Sequence, residues 1–180
     1  MKINFCEERG DIMPSKSLQK MLLEAMQIMC RELGVEEEDY DLDISFHTSL
    51  DNMRVNGQEG GKIRACVDPE ISKDRHISVM VQRDHPHLLI LALAHEFVHV
   101  RQMITGRLLV DGEGERAAVI FDGKRHSPGI IRLAHVLGMP SMLPWEKEAH
   151  QGMTALFLLV FDQLPTELRL EIVQGMHYNP

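Results

Sequence analysis

Aromatic residues are scarce in this chain: one Trp, two Tyr and six Phe among 180 residues. Hydrophobic residues still make up 44 %, so aliphatic side chains and the 12 methionines have to fill the core. Cysteine is scarcer, with Cys6, Cys30 and Cys66 odd in number, far apart and without a Cys-x-x-Cys. That pattern suits a reducing interior better than a disulfide framework. No apolar run reaches the length of a membrane span, and the longest is broken by His95 and Glu96. The opening residues lack the apolar segment of a secretory signal, so a cytoplasmic location is expected. Positive charge is in deficit: 19 Lys and Arg stand against 27 Asp and Glu, a net charge of −8. A general nucleic-acid binder needs a basic face to displace counterions, and none is evident. Lys124-Arg125-His126 is a small basic cluster that reads as an exposed turn.

What is present is patterned. Leu18, Met21, Leu22, Ala25, Met29 and Leu33 recur at helical spacing, which predicts a helix over 15–33 with Gly34 as its stop. Residues 2–5 read as a short strand. Leu42, Ile44 and Phe46 alternate with polar neighbours within 41–50, as do Ile77, Val79 and Val81 within 76–82, and both stretches read as strands. Between them Asn56-Gly57 and Gly60-Gly61 mark a loop, and 62–67 resumes as a strand. Residues 117–121 form another, closed by the hairpin signal Asp122-Gly123. A short helical piece holding His135 lies between Pro128 and Met139. A long helix runs from Pro144 to about 161, and a last amphipathic helix to Gly175 turns Leu168, Ile172 and Val173 inward. With no repeat or linker, a single α+β domain over 1–180 is expected, a small mixed or antiparallel sheet packed on buried helices.

The most informative stretch is Leu88-Leu-Ile-Leu-Ala-Leu-Ala-His95-Glu96-Phe-Val-His99. Asp84-His85-Pro86 is a helix start and Gly106 a stop, so His-Glu-x-x-His lies inside a helix that is apolar on nearly every side. Four residues make little more than one turn, so His95 and His99 project from one face. Two imidazoles so placed can each give a nitrogen to one Zn²⁺ at about 2.0–2.1 Å. Glu96 lies beside them, where it can accept a proton from water that the metal activates. The alternative is two core histidines with local hydrogen bonds. The strand over 77–82 enters this helix almost directly, and is either the sheet edge to which an extended substrate adds or an ordinary interior strand. Gln102 is on the His95 face two turns on, and either bonds near the site or caps the helix.

A catalytic zinc needs a third protein ligand and an open position. The metzincin pattern would put a histidine where Thr105 stands, which excludes that group. Pro144-Trp145-Glu146-Lys147-Glu148-Ala149-His150 offers two carboxylates at a helix start, and His126, His135 and His150 are further candidates. The His-Glu-x-x-His helix followed by a helix carrying Glu-x-x-Ala resembles the gluzincin group of metallopeptidases, and Pro-Trp-Glu-x-Glu-Ala also resembles small, often phage-encoded metallopeptidase-like proteins. The resemblance covers these two helices alone. It implies a zincin-like fold and Zn²⁺ held by His95, His99 and Glu146, with Glu96 as general base. Several gluzincins place an aspartate four residues after the ligand to orient a zinc histidine. Here His150 stands there, and Glu148, Asp122 or a backbone carbonyl would have to substitute. A histidine third ligand would instead point to the SprT-like group. Cys66 as a ligand would point to peptide deformylases, whose other motifs are absent, and it reads as a small buried hydrophobe.

The expected activity is therefore hydrolysis of peptide bonds in a peptide or protein substrate, with no membrane partner. A non-catalytic zinc-binding regulator and a zinc amidase of another class are the alternatives. The oxyanion needs a further donor, for which His126, His135, His177 and Tyr178 are the candidates.

Overall fold

A computed structural model describes residues 1–6, 13–47, 65–68, 75–82, 84–112 and 117–177. The loop at 56–61, the strand start at 62–64 and Tyr178 lie outside them. The fold is α+β, with five helices and two small sheets among the described residues. The chain opens with β1 (Lys2–Cys6) and α1 (Lys16–Glu32). Ser15 caps α1 by accepting from the Leu18 amide, and Gly34 at φ +68° ends it. Its methionines are core filler, since Met21, Met26 and Met29 are fully buried.

The first sheet adds β2 (Asp41–His47), β3 (Ala65–Asp68) and β4 (His76–Gln82) in the order β1-β2-β4-β3. β1, β2 and β4 are parallel, and β3 runs antiparallel to β4 with Val67 opposite Val79. The sheet is therefore mixed. β4 is paired on both sides, so it is the interior strand and not the edge. The edge on that side, among the described residues, is β3, because the chain folds back along β4 before entering it. The alternation of Ile77, Val79 and Val81 reflects one face buried on helices, which an interior strand shares with an edge strand.

Helix α2 (Pro86–Ile104) follows, with His85 as N-cap and Gly106 at φ +68° beyond its end. It crosses the middle of the molecule: Leu89, Ile90, Leu93, Ala94 and Phe97 are buried in one cluster with α1, β2, β4, and the later helices α4 (Pro144–Gln163) and α5 (Thr166–His177). Each such large side chain contributes about 1.5–3 kcal/mol on burial, so an all-round apolar helix is held where the core is thickest. α4 packs along α2 at close range. A Cβ at Gly152 would stand 3.1 Å from Val98 Cγ2, so the missing side chain lets the two helices approach. On α5, Leu168 and Ile172 point inward as expected, whereas Val173 is more than a third exposed. The helix turns it away from the stripe that meets the core.

Between α2 and α4 the chain builds a second, three-stranded antiparallel sheet: β5 (Leu108–Asp111), β6 (Ala118–Phe121) and β7 (Lys124–His126). Asp122 and Gly123 both have positive φ, the geometry of the predicted tight hairpin. The basic cluster 124–126 is thus a strand and not a turn, with His126 buried against Trp145. Helix α3 (Pro128–Val136) and a 3₁₀ turn (Pro140–Met142) lead from this sheet into α4. None of the described helices is long and apolar enough to cross a membrane.

Candidate metal centre

One turn of α2 places His95 and His99 with their Nε2 atoms 3.1 Å apart. α4 begins at Pro144, and its first turn carries Glu146 to them: Oε2 lies 3.3 Å from His95 Nε2 and Oε1 3.6 Å from His99 Nε2. A tetrahedral ion with arms of about 2.0–2.1 Å has donor atoms about 3.3–3.4 Å apart. The histidine nitrogens and the nearest Glu146 oxygen to each stand close to that value. One nitrogen from each histidine and one Glu146 oxygen, all within 4.8 Å of one another, form a group that could hold a metal ion.

The donor atoms are prepared for a cation. Gln102 is fully buried and its Nε2 donates to the Trp145 carbonyl at 3.3 Å. A carbonyl only accepts, so the amide NH₂ faces Trp145 and Oε1 faces His99 Nδ1 at 2.9 Å. In the neutral ring the proton therefore sits on Nδ1, which leaves the Nε2 lone pair of His99 facing the centre. This bond fixes the orientation of the His99 ring, the part that a histidine's outer partner plays at a metal site. Neither Glu148 nor Asp122 does so. Both are held by Arg107, which grips Glu148 through two bonds of 2.8 Å and Asp122 through bonds of 2.7 and 2.9 Å. Glu148 is thereby removed as a third ligand. The carboxyls of Glu148 and Asp122 are held below their ordinary range by these bonds.

Burial alone would lower the His99 pKa, but its bond to Glu146, with the charge of Glu96 nearby, raises it to about 9. Glu146 feels the converse: burial would raise its pKa, and the two histidines hold it well below the usual carboxylate range. Glu96 is 6 % exposed, and its Oε2 accepts from the Val67 amide of β3 at 3.0 Å. Burial pushes its pKa up against the opposing attraction of His99 and His95. A carboxylate of raised basicity is thus fixed between the edge strand and the histidine pair, suited to taking a proton from water.

Of the other candidates, His126 packs edge-on to Trp145 with ring centroids 5.2 Å apart and is not part of the donor group. Cys66 is half-buried on β3 and is also outside that group. The side chains of His135 and His177 lie outside the described residues. His150 is not a member of the donor group either, but its ring meets that of His95 edge-on at 4.8 Å. Its pKa is lowered by burial and by His95, which favours the neutral imidazole. Its place one turn after Glu146 on α4 was the available signal for this neighbour. Comparison with protein-family models, with curated proteins and with solved structures finds no match.

Proposed function

We propose that the protein is a zinc-dependent metallohydrolase of the gluzincin type, acting as a peptidase. The observation that carries the reading is the spacing of His95 Nε2, His99 Nε2 and the Glu146 carboxylate, at 3.1, 3.3 and 3.6 Å, with Glu96 buried beside them. Three protein donors of this chemistry suit a catalytic zinc, whereas a structural zinc takes four. Zinc bound there supplies Lewis-acid chemistry, acidifying water and polarising a carbonyl.

The chain's residues supply the rest. Glu96 accepts the proton of the attacking water and returns it to the leaving amine. Val67 N–H holds the Glu96 carboxylate on the β3 side of the pair. Gln102 keeps His99 in the tautomer that offers Nε2. His150, beside His95, provides a neutral imidazole N–H for the developing oxyanion.

The test is zinc-dependent cleavage of unfolded polypeptides, read by mass spectrometry, in the wild type and in Glu96→Gln. The reading expects hydrolysis that a chelator abolishes. It expects a loss of about 10²–10⁴-fold in Glu96→Gln with zinc retained. Equal cleavage by the two proteins would remove the general base and with it the mechanism.

A further inference from the structure

Helix α3 is apolar on two sides. Ile131 and Ala134 face the small core built with Trp145 and Phe121. Ile130 and Leu133 on the adjoining face, and Leu137 just beyond the helix end, are each more than half exposed. Val136, Met139 and Met142 extend the exposed strip through the turn into the 3₁₀ segment, at 69, 51 and 68 % exposure. A continuous apolar strip at a surface marks a contact site.

The position of the strip says what covers it. Ser141 and Met142 at its end line a cleft of about 510 Å³ with Lys147, His150 and Gln151. His150 lines the cleft, and its ring meets that of His95 edge-on with centroids 4.8 Å apart. Met142 thus belongs both to the exposed apolar strip and to a cleft that adjoins the metal donors through His150.

We infer that the α3 strip and the Met142–His150 cleft form the substrate-binding surface, and that the substrate is an extended polypeptide segment carrying large aliphatic side chains. This rests on the peptidase reading for the occupant's identity. Met142 contacts the side chain nearest the scissile bond, and Leu133 and Ile130 take residues further along the same segment. Burying one such side chain accounts for roughly tenfold or more in affinity. The protein thus selects exposed apolar stretches of unfolded chains over polar ones.

The probes are two fluorescent twelve-residue peptides of one backbone pattern, one with Leu and Met at alternate positions and one with Ser and Asn there. Binding is measured by anisotropy to Glu96→Gln protein, which cannot turn them over, both zinc-loaded and metal-free. The inference expects the aliphatic peptide to bind at least about tenfold more tightly. Met142→Glu and Leu133→Glu should each remove most of that preference, with zinc content unchanged. Both positions are exposed, so the fold tolerates the changes. Equal binding of the two peptides, or a preference that survives both variants, overturns the inference. So does a dimer in sedimentation, or capture by neutral phosphatidylcholine vesicles, that Leu133→Glu abolishes without affecting peptide preference. Failure of zinc to bind strikes the peptidase reading alone, because the metal-free arm still measures the cleft.

Discussion

Gln102 Oε1 accepts from His99 Nδ1 at 2.9 Å inside the fully buried heart of the molecule, and the same amide reaches the carbonyl of Trp145, the residue before Glu146. One side chain thereby sets the tautomer of a donor on α2 and ties α2 to the start of α4. An uncharged amide does here what a carboxylate does elsewhere, and it leaves the centre with one negative charge fewer.

Gln102→Leu keeps the volume and removes both bonds. Zinc affinity should fall by about 10–100-fold, the usual cost of losing a histidine's outer partner. Gln102→Glu, which still accepts from Nδ1, should retain more affinity than Gln102→Leu. Competition titration with a chromophoric chelator separates the variants. Equal affinities would mean that His99 is oriented by its packing alone.

Gly152 is a point of close approach between the two helices that carry the donors. Gly152→Val forces its side chain into Val98, where even a Cβ would stand at 3.1 Å. Overpacking of this kind costs about 1–3 kcal/mol, readable as a lowered denaturation midpoint. Because the shift moves α4 from α2, zinc affinity should fall together with stability.

Arg107 joins the end of α2 to the β6–β7 hairpin through Asp122 and to α4 through Glu148, with its guanidinium over the Phe121 ring at 5.1 Å. Both carboxyls have pKa values depressed on folding. Their contribution is therefore fully present above the ordinary carboxylate range, near 4–4.5, and is lost as pH falls through the lower folded values. The gap in stability between wild type and Arg107→Met should be constant above about pH 5 and shrink as pH falls below the ordinary carboxylate range. Urea denaturation across that range reads it, and a gap that persists in acid would assign Arg107 a packing role.

Much of this arrangement was legible in the residues, and where it was not the reasons are physical. The ends of α1 and α2 followed from Ser15, Gly34, Pro86 and Gly106, whose effects are local. The β6–β7 turn followed from Asp122-Gly123, because few residue pairs accept two positive φ values. β5 was missed, since Leu108-Leu109-Val110 is too short for a period and its partner lies beyond a turn. The place of β4 inside the sheet depended on a chain reversal that has no local signature. At the centre, His95, His99 and Glu146 could be brought together on helical spacing and resemblance. For Gln102 two roles stayed open, and that of Arg107 was not visible, because the part a polar side chain plays depends on partners far away in the chain. The exposed face of α3 was likewise invisible, as periodicity reports which residues are apolar and not which remain uncovered.

The central claim is a three-donor zinc centre shared between α2 and α4. Its most direct test is elemental analysis of wild type and Glu146→Ala, purified without a metal-binding tag and dialysed against trace zinc. The account predicts about one zinc per chain in the wild type, and much less in the variant. Wild-type protein that takes up no zinc, or Glu146→Ala that keeps it undiminished, would contradict the account.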